Sequence, residues 1–167
     1  MSSNSNVKFQ KPLYPGQSLA YGFVYGNLQF VDEELKFIRL ENGSSLPLSV
    51  NQKTLLRIYK KNIDLSEKCF CGIYPQTTTD NILVGELSTV FYPHEYTPEL
   101  CGKFRIRGCI ISLGLQEITI LVNTSKGKSL LINLNIANSK NFRVNQFIEV
   151  IALNIYGRLT VSKHTLI

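Results

Sequence analysis

The sequence predicts an all-β protein with one short helix, arranged as two similar five-stranded units in tandem. Three observations predict it. Short segments that alternate apolar and polar residues recur along the 167-residue chain, and clusters of turn residues separate them. The order of these segments restarts 84 positions later, at Lys103 after Leu19. The composition, 44% hydrophobic and 18% charged, is that of a globular protein large enough for two small domains.

The first unit is predicted from five alternating segments and one helical pattern. Its strands are expected at Leu19–Val31, Glu34–Leu40, Leu46–Val50, Lys68–Tyr74 and Ile82–Tyr92. An Asn-Gly pair between the second and third segments is typical of a hairpin turn. After the third segment, Leu55 and Ile58 recur at helical spacing behind the capping residue Asn51. This pattern predicts a helix over residues 51–61.

The second unit repeats this order. Its strands are expected at Lys103–Ser112, Glu117–Asn123, Ser129–Asn135, Gln146–Asn154 and Leu159–Leu166. Gly127 suits a hairpin turn between the second and third of these strands. The polar interruption after the third strand is at best a weak helix. Three strands, an interruption and two strands therefore occur twice, which indicates a duplicated fold.

That strand order resembles the OB-fold, a five-stranded Greek-key barrel that binds oligonucleotides and oligosaccharides. The resemblance is one of pattern over nearly all of residues 19–167, and its layout is similar to replication protein A and the bacterial single-strand-binding proteins. It implies two OB-like barrels in tandem: a tail over residues 1–18, a first barrel over 19–92, a linker over 93–100 and a second barrel over 101–167. A pair of SH3-like barrels or one sandwich of about eight to ten strands also fits short alternating strands, although the helix argues against both.

The first strand places three aromatic residues, Tyr21, Phe23 and Tyr25, two positions apart and therefore on one side. Such a stripe is either a stacking platform for bases or part of a hydrophobic core. Gly22 and Gly26 leave the other side almost bare, which favours the aromatic side as the barrel interior. We therefore expect the aromatic stripe to pack inside the first barrel.

Charge is distributed unevenly between the two halves of the chain. Residues 1–99 carry nine Lys/Arg against ten Asp/Glu, a net charge of −1. Residues 100–167 carry nine Lys/Arg against two Asp/Glu, a net charge of +7. A basic half joined to a near-neutral half predicts two units with different partners, of which the basic one faces a polyanion.

The basic half supplies the candidate binding residues. Arg105 and Arg107 alternate with apolar residues, so both are expected on the outer face of their strand, where they suit phosphate or base stacking. Further basic and aromatic residues fall in the turns and the interruption around the face that the OB resemblance assigns to a ligand. The predicted nucleic-acid-binding residues are Arg105, Arg107, Lys126, Lys128, Lys140, Arg143, Tyr156 and Arg158.

Catalytic and metal chemistry have little support in the sequence. The two histidines, His94 and His164, stand apart from any cluster of nucleophiles or carboxylates. The four cysteines form no Cys-x-x-Cys pair and are expected to be buried, reduced thiols rather than zinc ligands. No apolar run reaches the ~20 residues of a membrane span, and the first residues lack a signal-peptide pattern. We expect no enzyme activity, cofactor, bound metal or membrane association, and a cytoplasmic location.

These observations predict a non-catalytic protein that binds single-stranded DNA or RNA through its basic second barrel. The near-neutral first barrel is then expected to bind a protein partner or a second copy of the chain. The alternative is a protein-interaction or scaffold module, in which the basic half meets an acidic protein surface. Binding to phosphates predicts a strong salt dependence that a discrete protein interface does not share.

Overall fold

Strands dominate the computed structural model, which describes residues 7–124 and 127–167. In the N-terminal half, up to residue 100, they are β1 (Leu19–Val31), β2 (Glu34–Leu40), β3 (Ser45–Ser49), β4 (Lys68–Thr77) and β5 (Leu83–Val90). In the C-terminal half they are β6 (Lys103–Leu113), β7 (Glu117–Asn123), β8 (Ser129–Asn135), β9 (Phe147–Ile155) and β10 (Arg158–Leu166). One helix, α1 (Gln52–Tyr59), separates β3 from β4. The predicted strands and helix are confirmed, with boundaries that differ by a few residues.

The strands β1 to β5 close into a five-stranded barrel. β1 is 13 residues long, so its two ends pair antiparallel with different neighbours, β2 and β4. β2 also pairs with β3, and β4 with β5, while the parallel pairing of β3 with β5 closes the ring. Apolar residues that alternate along these strands, such as Ile38, Leu48 and Ile73, are buried in the core.

Helix α1 follows from a capping residue and an amphipathic pattern. The Asn51 side-chain oxygen accepts a hydrogen bond from the Thr54 backbone N–H at 2.8 Å, which satisfies a donor that the first turn leaves free. Leu55 and Ile58, three positions apart, are buried, whereas Leu56 and Tyr59 are about half exposed. The helix therefore buries one face and keeps an apolar strip at the surface.

The five C-terminal strands pair in the same order as the first five. β6 pairs antiparallel with β7 and β9, β7 with β8, and β9 with β10. β8 and β10 run parallel and share a single pair, Asn135 with Thr160. The connection from β8 to β9, residues 136–146, contains no helix, and its residues Ile136 and Phe142 are buried in the core. The ring of strands in this half is therefore closed more loosely, at the edge where β8 meets β10.

One continuous ten-stranded sheet joins the two halves through the pairing of β1 with β6, which we call the seam. Leu19 pairs with Arg107, and Gly22 pairs with Phe104. A Cβ atom at Gly22 would lie 2.1 Å from the Phe104 ring, so the close approach at the seam requires glycine. The strands of the two halves lie side by side in the sheet and are not interleaved.

The segment predicted as a linker, residues 93–100, is folded against the N-terminal half. It forms two single-turn 3-10 helices, Pro93–Glu95 and Pro98–Leu100. The Tyr96 ring stacks on Tyr25, with 4.2 Å between the ring centroids. The division of the chain into two domains at this segment stays a prediction.

In the aromatic stripe of β1, Phe23 is buried and Tyr21 and Tyr25 are partly buried, but the prediction that the stripe fills the barrel interior is wrong. Val24 and Leu28 belong to the hydrophobic core, whereas the Phe23 ring lies on the opposite face of β1. Phe23 is 5.0 Å from Phe9 in the tail and 6.0 Å from Phe91, measured between ring centroids. Gly22 and Gly26 alternate with the aromatic residues and therefore share the face of Val24 and Leu28. The tail and the segment after β5 cover the aromatic face from outside.

Candidate nucleic-acid interface

Arg105 and Arg107, the two arginines predicted on an open strand face, form an internal ion-pair cluster with Glu149. Arg107 pairs directly with Glu149 across β6 and β9, and its Nη1 donates to Glu149 Oε1 at 2.9 Å. Arg105 Nε donates to the same oxygen at 2.6 Å. Arg107 is only 4% exposed. We call these three residues the clasp.

The clasp also holds the N-terminal tail against the outer face of β6 and β9. Arg107 Nε donates to the Gln17 carbonyl oxygen at 3.1 Å, and its Nη2 donates to the Pro15 carbonyl. Arg105 Nη1 donates to the Gln10 carbonyl at 2.9 Å. The prediction of two solvent-facing arginines is wrong for Arg107, because the tail covers it. Every guanidinium nitrogen of the two arginines bonds within the chain, so both side chains are held in the clasp rather than extended into solvent.

The other predicted cations lie at the surface of the C-terminal half. Lys128, Lys140, Arg143 and Arg158 are exposed, and so is Lys163, which was not among the predicted binding residues. Within residues 7–124 and 127–167, none of these five forms an ion pair. Lys126, also predicted as a binding residue, lies outside the described residues.

Tyr156 projects from the turn between β9 and β10. Its backbone φ is +52° and that of Gly157 is +81°, so both central residues of this two-residue turn are left-handed. The Asn154 side-chain oxygen accepts the Gly157 N–H at 2.9 Å, and the Gly157 carbonyl accepts the Leu83 N–H at 2.7 Å. The turn is therefore anchored on both sides while the Tyr156 side chain is 95% exposed.

The connection between β4 and β5 docks on β7 and β8 of the other half. Thr77 Oγ1 accepts the Asn133 backbone N–H at 2.9 Å, and Asn81 Oδ1 accepts a hydrogen bond from Asn133 Nδ2 at 2.6 Å. Asn81 Nδ2 in turn donates to Glu117 Oε1 at 3.0 Å. The β7–β8 surface is the one that the OB resemblance assigns to a ligand, so the N-terminal half covers part of the predicted binding face.

A groove remains open between these two docked elements. It has a volume of about 300 Å³ and is lined by Gln76, Thr77, Thr78, Thr79, Ser129, Leu130, Leu131 and Asn133. We call it the junction groove. Along one wall, β8 presents an edge that pairs with β10 only at Asn135 and that Thr77 contacts at the Asn133 N–H. Six of the eight lining residues carry a hydroxyl or amide group, and Leu131, 51% exposed, adds an apolar surface. Such a groove can accept hydrogen-bonding ligands along an extended path.

None of the predicted residues lines this groove, although three of them lie next to the elements that form it. Lys128 directly precedes β8, and Tyr156 and Arg158 flank Gly157, whose carbonyl accepts the Leu83 N–H. The seven residues of β8 span about 20 Å.

Lys140 and Arg143 belong to a different region. Phe142, which lies between them in the sequence, packs at 4.8 Å on His164, six residues beyond Arg158 along β10. Six residues of a strand correspond to about 20 Å. These two cations therefore lie toward the opposite end of β10 and outside the junction groove.

No metal-binding cluster is present in the described part of the chain. No three His, Cys, Asp or Glu side chains converge there in a way that could hold a metal ion. Cys69 and Cys71 are buried, as predicted, whereas Cys101 and Cys109 are partly exposed. Burial raises the pKa of the Cys69 thiol to about 11, which suppresses the reactive thiolate. No described helix is long and apolar enough to cross a membrane.

Comparison with known proteins adds no relative to these observations. No protein-family model matches the chain, and the search of curated proteins found no significant match. The function is therefore inferred from the geometry of the chain itself.

Proposed function

We propose that the chain is a tandem pair of OB-fold barrels that binds single-stranded nucleic acid, without catalysis, along the junction groove. The pairing order supports the fold. In both halves the first strand pairs with the second and fourth, and the third strand runs parallel to the fifth. This order is consistent with the Greek-key order of the OB-fold, in which the face of the second and third strands binds extended polymers.

The excess of unpaired positive charge on the C-terminal half carries the functional proposal. Of its two carboxylates, Glu149 is held by the clasp and Glu117 accepts from Asn81. The exposed cations of this half are therefore left without an intramolecular counter-charge among the described residues. Phosphates neutralise such cations with release of counterions, which is the main source of affinity in sequence-tolerant binding.

The form of the groove favours a single strand over a duplex. A groove of about 300 Å³ has room for a short stretch of unpaired chain and is far smaller than a duplex. In this proposal Lys128, which precedes β8, and Arg158, at the start of β10, contact the phosphates of a strand that passes beyond the groove on either side. The Tyr156 side chain, two positions before Arg158, is 95% exposed, so a base can stack on its ring.

The replacement of Lys128 and Arg158 by Gln tests this assignment. In the full-length double variant we expect weaker binding of a labelled oligothymidylate, measured by fluorescence anisotropy over a range of salt concentrations. Removal of each phosphate-binding cation should flatten the slope of log affinity against log salt by roughly 0.7, so the slope of the double variant should be flatter by about 1.4. Tyr156→Asn tolerates the left-handed backbone and should lower affinity with an unchanged slope, because stacking releases no counterions.

The matched control removes the same amount of charge from the N-terminal half. Lys36 and Lys68 are exposed and pair with Glu34 and Glu41, so Lys36→Gln with Lys68→Gln changes the net charge equally, away from the groove. This control should change the slope little. Equal reductions of affinity in both double variants would mean that net charge, not the groove, governs binding, and would contradict the assignment.

A second candidate function rests on the part of the β8 edge that neither β10 nor Thr77 occupies. The remaining backbone groups along the junction groove can pair with a short extended peptide, which would add a strand to the sheet. Backbone pairing of this kind depends weakly on salt, whereas phosphate binding depends strongly on it. The salt series therefore separates the two functions.

A further inference from the structure

A second groove lies on the N-terminal half, between the β1–β2 hairpin and helix α1. It has a volume of about 590 Å³ and is lined by Phe30, Glu33, Gln52, Leu55 and Tyr59. We call it the hairpin groove. Beside it, Val31 is 52% exposed, Leu56 51% and Tyr59 50%. Tyr59 lines the groove, and Val31 and Leu56 are next in sequence to the lining residues Phe30 and Leu55, so half-exposed apolar side chains of both walls form a surface suited to a partner.

The two walls of the hairpin groove carry opposite charges. Asp32 and Glu33, both exposed, form the tip of the hairpin on one wall. Lys53 and Lys60, also exposed, lie on α1 and just after it, on either side of Leu56. None of these four side chains takes part in an ion pair within the described residues. Each wall therefore presents charge that the chain itself does not compensate.

The two acidic residues at the hairpin tip, Asp32 and Glu33, have a backbone conformation that other residue types adopt more easily. Asp32 has φ +51° and Glu33 has φ +65°. Two-residue hairpin turns with both positions left-handed usually contain Asn-Gly or Asp-Gly, because glycine adopts this conformation without strain. The sequence has glutamate at the second position, so its carboxylate is kept at a conformational cost.

We propose that the hairpin groove is the interface of a symmetric dimer of this chain. In a two-fold interface, each surface patch meets its own copy, so a contact between residue i and residue j occurs twice. The acidic tip of each copy then faces Lys53 and Lys60 of the other copy. Val31, Leu56 and Tyr59 of both copies are buried in the interface. A second copy carries both a basic and an acidic wall, so it matches both walls of the groove at once. This dimer is independent of nucleic-acid binding.

A charge-swap experiment tests the dimer. Sedimentation velocity over a concentration series should show a dimer for the wild type. Asp32→Lys with Glu33→Lys, and separately Lys53→Glu with Lys60→Glu, should each raise the dissociation constant on the order of 100-fold, because like charges then meet. An equimolar mixture of the two double variants should again form a dimer, since each acidic wall now meets a basic one.

The control places the same charge change elsewhere. Glu67 and Glu99 are exposed on other parts of the N-terminal half, so Glu67→Lys with Glu99→Lys should leave the dimer unchanged. Circular dichroism confirms that each variant is folded. A monomeric wild type, a dimer that resists both charge reversals, or folded variants that do not associate when mixed would each overturn the proposal.

Discussion

Replacement of Glu149 by Ala is expected to lower the free energy of unfolding by about 3–5 kcal/mol, because it leaves buried guanidinium charge without a counter-charge. Arg107 is 4% exposed and Arg105 is mostly covered, and both donate to the Glu149 carboxylate. Their remaining donors hold carbonyl oxygens of the tail, so the tail should loosen as well. Urea unfolding followed by circular dichroism measures the change in stability.

An exposed ion pair provides the control for this prediction. Glu34 and Lys36 lie 3.1 Å apart, with side chains that are 73% and 46% exposed. Glu34→Ala should therefore cost no more than about 1 kcal/mol. Similar destabilisation in the two variants would mean that the clasp contributes no more than a surface pair.

The clasp also predicts how the stability of the protein depends on pH. Burial alone would raise the pKa of Glu149, but hydrogen bonds from Arg107 and Arg105 and their charges outweigh it and hold the pKa below its ordinary value. The resulting stability is present above the ordinary carboxyl pKa of about 4.3 and is lost as the pH falls through the lower pKa of the folded state. Glu149→Gln should abolish this component of acid sensitivity, so unchanged acid sensitivity in this variant would count against the clasp.

Gly26→Ala is expected to destabilise the N-terminal half by about 3 kcal/mol or more, because the added methyl group meets backbone rather than a mobile side chain. A Cβ atom at Gly26 would lie 2.0 Å from the Arg39 carbonyl oxygen. Gly26 pairs with Leu40 in the β1–β2 ladder, so relief of the clash requires the two strands to separate. Thermal unfolding should show the destabilisation directly.

Gly16→Ala is the matched substitution for Gly26→Ala. No heavy atom lies within 4 Å of a Cβ built at Gly16, so this change should leave the melting temperature almost unaltered. A Gly26→Ala variant as stable as Gly16→Ala would contradict the described packing of β1 against β2.

The strands were predictable from sequence because each has one buried face, and a period of two marks such a face regardless of its distant neighbours. β8, for example, alternates Ile132 and Leu134 in the core with Leu131 and Asn133 outside. Helix α1 was predictable for a similar reason, since its cap and its buried residues lie within one short segment.

The clasp was not predictable in this way, because it depends on residues far apart in the sequence. Glu149 is 42 positions from Arg107, and the Pro15 carbonyl is 92 positions away. Alternation placed Arg107 correctly on the outer face of β6 but says nothing of what covers that face. The one usable signal was the scarcity of acids in the basic half, where a carboxylate on a strand is a natural partner for a strand arginine.

The position of the candidate groove was missed for the same reason. The hydrogen bonds of Thr77 and Asn81 with β8 join the two halves of the chain. From sequence alone, the polar turn after β4 is indistinguishable from a solvent-exposed loop. The exposure of Tyr156, by contrast, was predictable because a hairpin turn exposes its central residues wherever it lies. Local chemistry was therefore predictable, and the contacts between the halves were not.

Binding of equal-length single-stranded DNA, single-stranded RNA and duplex to the full chain tests the central claim most directly. Fluorescence anisotropy at about 50 mM and about 200 mM salt should show at least one single strand bound more tightly than the duplex, with affinity that falls steeply between the two conditions. Absence of single-strand binding at the lower salt concentration, or duplex binding as tight as single-strand binding, would contradict the claim.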